Sequence, residues 1–291
     1  MVYAAISATT STTTQASDAM SFADKLYDTV KSLAKIIVGS RPTHCLRKRA
    51  EGSRIIIMAN GPSLAKTIAE NPDALRSAPS MAVNFAALAP EFADLRPRYY
   101  ILADPHFFRT DTADENLAKL RSRIASADWT MTLLVPAKYR KPAAKLYGRS
   151  DIATFNAVGC EGFRMFCHAA FRSGMAMPRP RNVLIPALMT AIAMGYTDIT
   201  VYGADHSWMK TISVTDDNEV VSIQPHFYAD SATETTRISH EYRNYRLHQI
   251  VESFAVAFRA YHHIADYAAS RNVSIVNATP GSFIDAFPRE G

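Results

Sequence analysis

The chain has 291 residues, of which 48% are hydrophobic and 20% charged, with a net charge of +5 and a pI near 9.1. This is globular composition with enough length for a large core, and the mild basicity favours anionic partners such as phosphates or an acidic membrane surface. No dense Lys/Arg run, zinc finger or RNA-binding aromatic motif is present, which argues against nucleic acid; no apolar stretch has transmembrane length, and the N-terminus lacks the basic and apolar regions of a secretory signal.

Residues 1–17, rich in Ser, Thr and Ala, are expected to be disordered. Residues 18–50 read as a basic amphipathic helix and linker. Phe22, Leu26, Val30, Leu33 and Ile37 fall three or four apart, with Lys25, Lys31 and Lys35 largely off that stripe. Arg41 and the Arg47-Lys48-Arg49 cluster follow. Two placements fit: a helix on the acidic inner face of a membrane, or one packed on the domain or on a partner subunit.

Residues 51–291 alternate between strand and helix patterns. Ile55–Met58 reads as a buried strand, Ser63 to Glu70 as a short helix, and Met81–Asn84 and Tyr99–Leu102 as strands. Asn116–Ala127 is a helix and Thr130–Val135 a strand closed by Pro136. Val183–Met194 is a long apolar helix stopped by Gly195. Ile199–Tyr202 is a strand, His240–Ser270 a long helix and Val273–Val276 a last strand. The alternation predicts an α/β fold with a doubly wound, mostly parallel Rossmann-like sheet. Residues 206–239 break the rhythm with polar, aperiodic sequence, and read as an irregular lid over the ligand-binding edge.

Cys45, Cys160 and Cys167 have no zinc spacing, and their odd number fits reduced thiols in a cytoplasmic protein. Cys160 and Cys167 would share a face if they lay on one helix.

In a parallel sheet the carboxyl ends of the strands share one edge, so the polar residues that follow them converge. Here these are Asn60, Gly61, Pro62, Ser63, Asn84, Asp104 and Asp205. The Asn60-Gly61-Pro62-Ser63 turn joins a strand to a helix, the geometry that offers N–H groups and a hydroxyl to a phosphate; Ser63 also reads as a plain N-cap. Its spacing is neither G-x-G-x-x-G nor the Gly-Lys-Ser/Thr phosphate loop. Asn84 could bond a base or sugar, or cap a turn, and Asp104-Pro105 could hold a ribose or only start a turn. His240 stands where the lid gives way to a helix, a position that favours the neutral, basic imidazole a general base requires. No recognised metal-ligand spacing or Gly-x-Ser-x-Gly elbow occurs, so no metal is expected.

Taken in order, these segments resemble the bacterial sialyltransferases of the Campylobacter type, glycosyltransferase family 42, and related surface-polysaccharide proteins. The resemblance covers roughly residues 55 to 288. It rests on Ala59-Asn60-Gly61-Pro62-Ser63-Leu64, Val83-Asn84-Phe85, Asp104-Pro105-His106-Phe107-Phe108, Ala193-Met194-Gly195-Tyr196, Gly203-Ala204-Asp205, His240-Glu241-Tyr242 and Ser282–Pro288.

The resemblance implies a GT-A-like sialyltransferase variant of the fold. It also implies a CMP-sugar donor carrying sialic acid, Kdo or a related nonulosonate, inversion at the anomeric carbon, a glycan or glycolipid acceptor, no cofactor and no metal. Asn60, Gly61, Ser63 and Asn84 would hold the CMP portion and His240 would deprotonate the acceptor. Of the two family tyrosines that bond the leaving phosphate, the first is replaced by Ser207, while Tyr228 would stand for the second and His206 would assist; the family's Thr-Ser-Gly is replaced by Asn182-Val183-Leu184. Family members are often tetramers, so a homo-oligomer is a further expectation. Two other readings stay open: a Mg²⁺-dependent pterin pyrophosphokinase-like enzyme using Asp104 and Asp205, and a degenerate transferase fold used for binding.

Overall fold

The computed structural model describes residues 21–43, 50, 52–111, 113–222 and 245–290. Seven strands form one parallel sheet: β1 (Arg54–Met58), β2 (Ser80–Val83), β3 (Tyr99–Ile101), β4 (Thr132–Pro136), β5 (Ile152–Phe155), β6 (Asp198–Tyr202) and β9 (Ser274–Asn277). Their order is β5-β4-β3-β2-β1-β6-β9, and every neighbouring pair is parallel. The chain moves outward from β1 to β5 and then returns to β6 on the other side of β1. The β1/β6 seam is therefore the topological switch point of a doubly wound α/β sheet.

Ile55, Ile56 and Ile57 are all fully buried, because helices cover both faces of the sheet. The two-residue period sends them to opposite sides. Ile55 and Ile57 join one core with α7 (Arg164–Ser173), α8 (Leu184–Met194) and α9 (Leu247–Ala269). Ile56 and Met58 join the other, with α2 (Ser63–Glu70), α3 (Pro72–Arg76), α5 (Glu115–Ala125) and α6 (Arg140–Tyr147). A short helix α4 (Phe92–Leu95) lies between β2 and β3.

The first helix, α1 (Phe22–Gly39), starts in a capping box between Ser21 and Asp24. It docks by its polar edge: Glu161 N–H donates to Ser32 Oγ at 2.9 Å, and Phe163 N–H donates to Thr29 Oγ1 at 2.9 Å. Gly162, at φ 122°, lets this approach happen, since a Cβ there would fall 2.1 Å from Thr29 Oγ1. The apolar stripe faces outward instead, with Phe22 and Ile37 each 72% exposed and Leu26, Val30 and Leu33 also exposed. Beyond the helix, the Asn156 amide clasps the chain: its Oδ1 accepts from Arg41 N–H, and its Nδ2 donates to the carbonyls of Arg41 and Gly174, each at 2.9 Å.

Several boundaries depart from the sequence reading. Asn84 leaves the β2 strand and opens a 3-10 turn at φ 47°. The stretch read as wholly irregular after His206 holds a 3-10 turn and a two-stranded hairpin, β7 (Ile212–Val214) and β8 (Val220–Ser222). The Asp216-Asp217-Asn218 turn between two β-branched runs is its sequence signal. The long helix expected over His240–Ser270 begins instead at Leu247, with Arg246 as its N-cap, so His240 does not start it. Residues 223–239 of the expected lid, and His240 itself, lie outside the described residues, as do residues 1–17 and the Arg47-Lys48-Arg49 cluster. Cys160 and Cys167 do not share a helix, since Cys160 precedes α7; both are free and buried, with sulfurs 3.5 Å apart.

Candidate functional site

A cavity of about 810 Å³ opens along the carboxyl edge of the sheet, across the switch point. Asn60, Gly61, Pro62, Asn84, Asp104, Asp205 and His206 all line it. The structure thus brings together side chains that the sequence scatters over nearly 150 positions, because each follows a strand of the same parallel sheet.

The switch-point end is built by mutual locking of two loops. Ala59 N–H donates to the Tyr202 carbonyl at 2.9 Å, and Gly61 N–H to the Gly203 carbonyl at 2.7 Å. A Cβ on Gly61 would lie 1.9 Å from Asp205 Oδ2 and 2.5 Å from the Gly203 carbonyl, so only glycine fits. Ser63 Oγ donates to Asp205 Oδ2 at 2.7 Å, and Ser63 N–H reaches the same oxygen at 3.4 Å.

This corrects the reading of the turn as a phosphate cradle. The hydroxyl and N–H of Ser63 are committed to Asp205, whose carboxylate occupies the α2 N-terminus where a ligand anion would sit. The first-turn N–H groups of Leu64 and Ala65 are also bonded, to the Gly61 and Pro62 carbonyls.

Asparagines give the wall a different character. Asn60 Oδ1, Asn84 Oδ1 and Asn182 Nδ2 are buried and lack a hydrogen-bond partner among the described residues. All three residues line the cavity. An unsatisfied buried polar group costs about 1–3 kcal/mol, so three around one cavity are a reservoir that a ligand can relieve. Asn84 is fixed from its main chain, whose carbonyl accepts from Tyr100 Oη.

Asn182 has a defined orientation. Its Oδ1 caps α8, accepting from Leu184 N–H at 3.0 Å and Ile185 N–H at 3.4 Å, and it also accepts from Tyr261 Oη at 2.9 Å. Rotating the amide would set an NH₂ against two N–H donors, so Nδ2 must be the group left over. The Tyr261 phenol has one hydrogen, spent on Asn182, so His206 Nε2 must donate to Tyr261 Oη across 2.6 Å. Burial holds the Tyr261 phenol protonated, well above its ordinary pKa.

His206 therefore spends its Nε2–H on Tyr261 and is not free to assist a leaving phosphate as the sequence suggested. Its backbone is left-handed at φ 50°, and its ring sits among Trp208, Phe258 and Tyr261. Burial pushes its pKa down to about 3, so it stays neutral and structural. Asp104 takes the local role left open for it: its Oδ1 accepts from His106 N–H at 2.7 Å and caps a 3-10 turn. His106 Nε2 pairs with Asp114 Oδ2 at 2.9 Å. Burial works to raise the Asp114 pKa, but the hydrogen bonds from His106, Leu117 N–H and Asn116 N–H outweigh it and leave the carboxyl lowered. His240 and Tyr228 lie outside the described residues.

Sequence reasoning missed Asn182 as part of this site, with the buried Tyr261 that orients it, and Arg41, Lys138 and Arg181 as cations lining it. A signal existed for Asn182. A crossover helix that returns to a parallel strand begins at the carboxyl edge, so the start of α8 had to lie near the Asn60 turn. Among the described residues, no group of three His, Cys, Asp or Glu side chains is arranged to hold a metal.

The fold is thus a Rossmann-like parallel α/β sheet with its cavity at the switch point. No protein-family model matches the chain. No curated protein sequence matches it. Among solved structures it is similar to the MAf glycosyltransferase from Magnetospirillum magneticum AMB-1, at 9% identity and a TM-score of 0.49. The likeness covers 93% of this chain and 38% of that one, so the chain spans less than two-fifths of that protein's length. The fold assignment rests on strand order and pairing, not on this likeness.

Proposed function

We propose that this chain is an inverting, metal-independent glycosyltransferase. It moves a sialic acid, Kdo or related nonulosonate from a CMP-sugar to a hydroxyl of a surface glycan or glycolipid, and it works without a cofactor. The observation that carries the reading is the set of unpartnered amide atoms on Asn60, Asn84 and Asn182 around one switch-point cavity. A pyrimidine base, with alternating donors and acceptors on one edge, fits such a set better than an apolar ligand does. His240 is the base in this reading and acts on the acceptor, while Tyr228 supports the leaving phosphate.

The Mg²⁺-dependent phosphotransferase reading needs free carboxylates. Asp205 instead receives Ser63, and Asp104 receives the His106 amide, which weakens it. The exposed stripe of α1 supports attachment to an acidic membrane face or to a second copy of the chain. Among the described residues no helix is long and apolar enough to cross a membrane.

Thermal shift with CMP, CDP and ATP, each with and without EDTA, tests the reading. CMP stabilises the protein whether or not EDTA is present. A response confined to ATP with Mg²⁺ would instead make it a phosphotransferase, and silence to every nucleotide would leave a binding fold. His240→Ala keeps the CMP response and loses transfer; equal turnover in variant and parent removes His240 from the mechanism.

A further inference from the structure

The charges around the cavity are segregated along the sheet. Asp205 follows β6 and bears on the start of α2, and Asp104 follows β3. Lys138 follows β4, and Arg41 is clasped at the end of β5 by Asn156. Arg181 precedes α8. Asp205 and Lys138 are separated by four strand spacings in the order β6-β1-β2-β3-β4, or roughly 19 Å at about 4.8 Å each. That exceeds the screening length of about 8 Å at physiological salt, so Asp205 does not neutralise the far cation; Asp104, one strand away from Lys138, accepts instead from the His106 amide.

The cations of the cavity contrast with five arginines elsewhere on the chain. Arg54, Arg96, Arg109, Arg164 and Arg179 each lie against a carboxylate. Among the described residues, the Arg41 and Arg181 guanidinium groups pair with none, and Lys138 Nζ lies 4.7 Å from the centre of the Tyr139 ring. Three cations from three separate segments thus meet one cavity, and among the described residues none of them is salt-bridged to the carboxylates of Asp104 and Asp205 that share it. The place where such a fold would ordinarily hold an anion, the α2 N-terminus, is already filled by Asp205.

We infer that Arg41, Lys138 and Arg181 form the anion subsite of this cavity, taking the phosphate or carboxylate oxygens of its ligand. The inference deepens the proposed function, because a CMP-linked sugar acid carries both groups: the phosphate of the nucleotide and the carboxylate of the sugar. Guanidinium and ammonium groups fit both through charge-assisted hydrogen bonds.

Calorimetric titration of the full chain tests it with four probes: inorganic pyrophosphate, CMP, cytidine and free N-acetylneuraminate. Arg41→Gln, Lys138→Gln and Arg181→Gln are compared with the parent, and exposed Lys119→Gln on α5 serves as the control. Each cavity variant is expected to lose about tenfold in pyrophosphate affinity, the loss of one hydrogen bond to a charged group, while cytidine is unaffected. A matching loss for CMP but not N-acetylneuraminate assigns the subsite to phosphate, and the reverse assigns it to carboxylate. Parent-like pyrophosphate binding in all three variants overturns the inference, as does an equal loss for cytidine or in Lys119→Gln, or a parent that binds none of the anions. A parent that binds pyrophosphate through these residues but neither CMP nor cytidine upholds the subsite and sinks the CMP-sugar reading.

Discussion

Two of the helices that begin on the carboxyl rim, α2 and α8, have their starts filled by an oxygen of the protein itself. At α2 the filler is the Asp205 carboxylate, held by Ser63. At α8 it is the Asn182 amide oxygen, held also by Tyr261. Both satisfy orphan N–H groups, but what they leave over differs. Asp205 leaves a negative charge beside the cavity, and Asn182 leaves an N–H donor. The helix dipole that attracts a ligand anion in many sheets of this class is spent internally at both places.

The contrast can be broken most forcefully at Gly61. Gly61→Ala drives a methyl into Asp205 and the Gly203 carbonyl and is expected to cost about 3 kcal/mol; urea unfolding measures it, and a cost below 1 kcal/mol would mean the two loops are not locked. Asn182→Ala comes next, at about 2 kcal/mol, because it uncaps α8 and strands the buried Tyr261 hydroxyl. Asp205→Ala is expected to cost only about 1 kcal/mol, since Ser63 is half-exposed and water can replace its partner. If Asp205→Ala proves the more damaging of the two, the ranking of the two caps is reversed.

The neutral state of His206 sharpens the same comparison by pH. Its folded pKa is depressed from 6.5 to about 3, so the unfolded chain binds the proton first. The stability it contributes is complete above pH 6.5 and is lost as the pH falls toward 3. The urea midpoint of the parent should fall through that window, and His206→Gln should flatten the fall. The smallest effect on stability is expected on α1. Replacing the exposed Leu26, Val30, Leu33 and Ile37 by serine should change stability by within about 0.5 kcal/mol per site. Flotation with acidic liposomes and light scattering then report whether the stripe met lipid or a second copy.

The sheet was legible because its signal is local. Ile55-Ile56-Ile57, β-branched and closed by a Gly-Pro turn, favours a strand covered on both sides, and parallel strands put their polar followers on one rim. Pairings across the fold were not legible. Ser63 and Asp205 each read as a ligand-facing group, and nothing in either segment says that they satisfy one another over 142 positions. His206 carries no local mark of burial, because the rings that enclose it come largely from α9. For α1 the periodicity gave the stripe correctly but not its direction: a 3.6-residue pattern defines a face and is silent on which side the protein lies. The hairpin after Thr211 and strand β5 were passed over because each is short, and short apolar runs are the weakest strand signals.

The Asn156 clasp has a practical consequence. Gly39 and Arg41 belong at once to the tail of α1 and to the wall of the cavity. A shortened version of the chain that kept every strand but began after residue 42 would present a breached chamber, missing one side and one of its positive charges. Ligand measurements on such a fragment would describe a different vessel, however well the sheet itself survived.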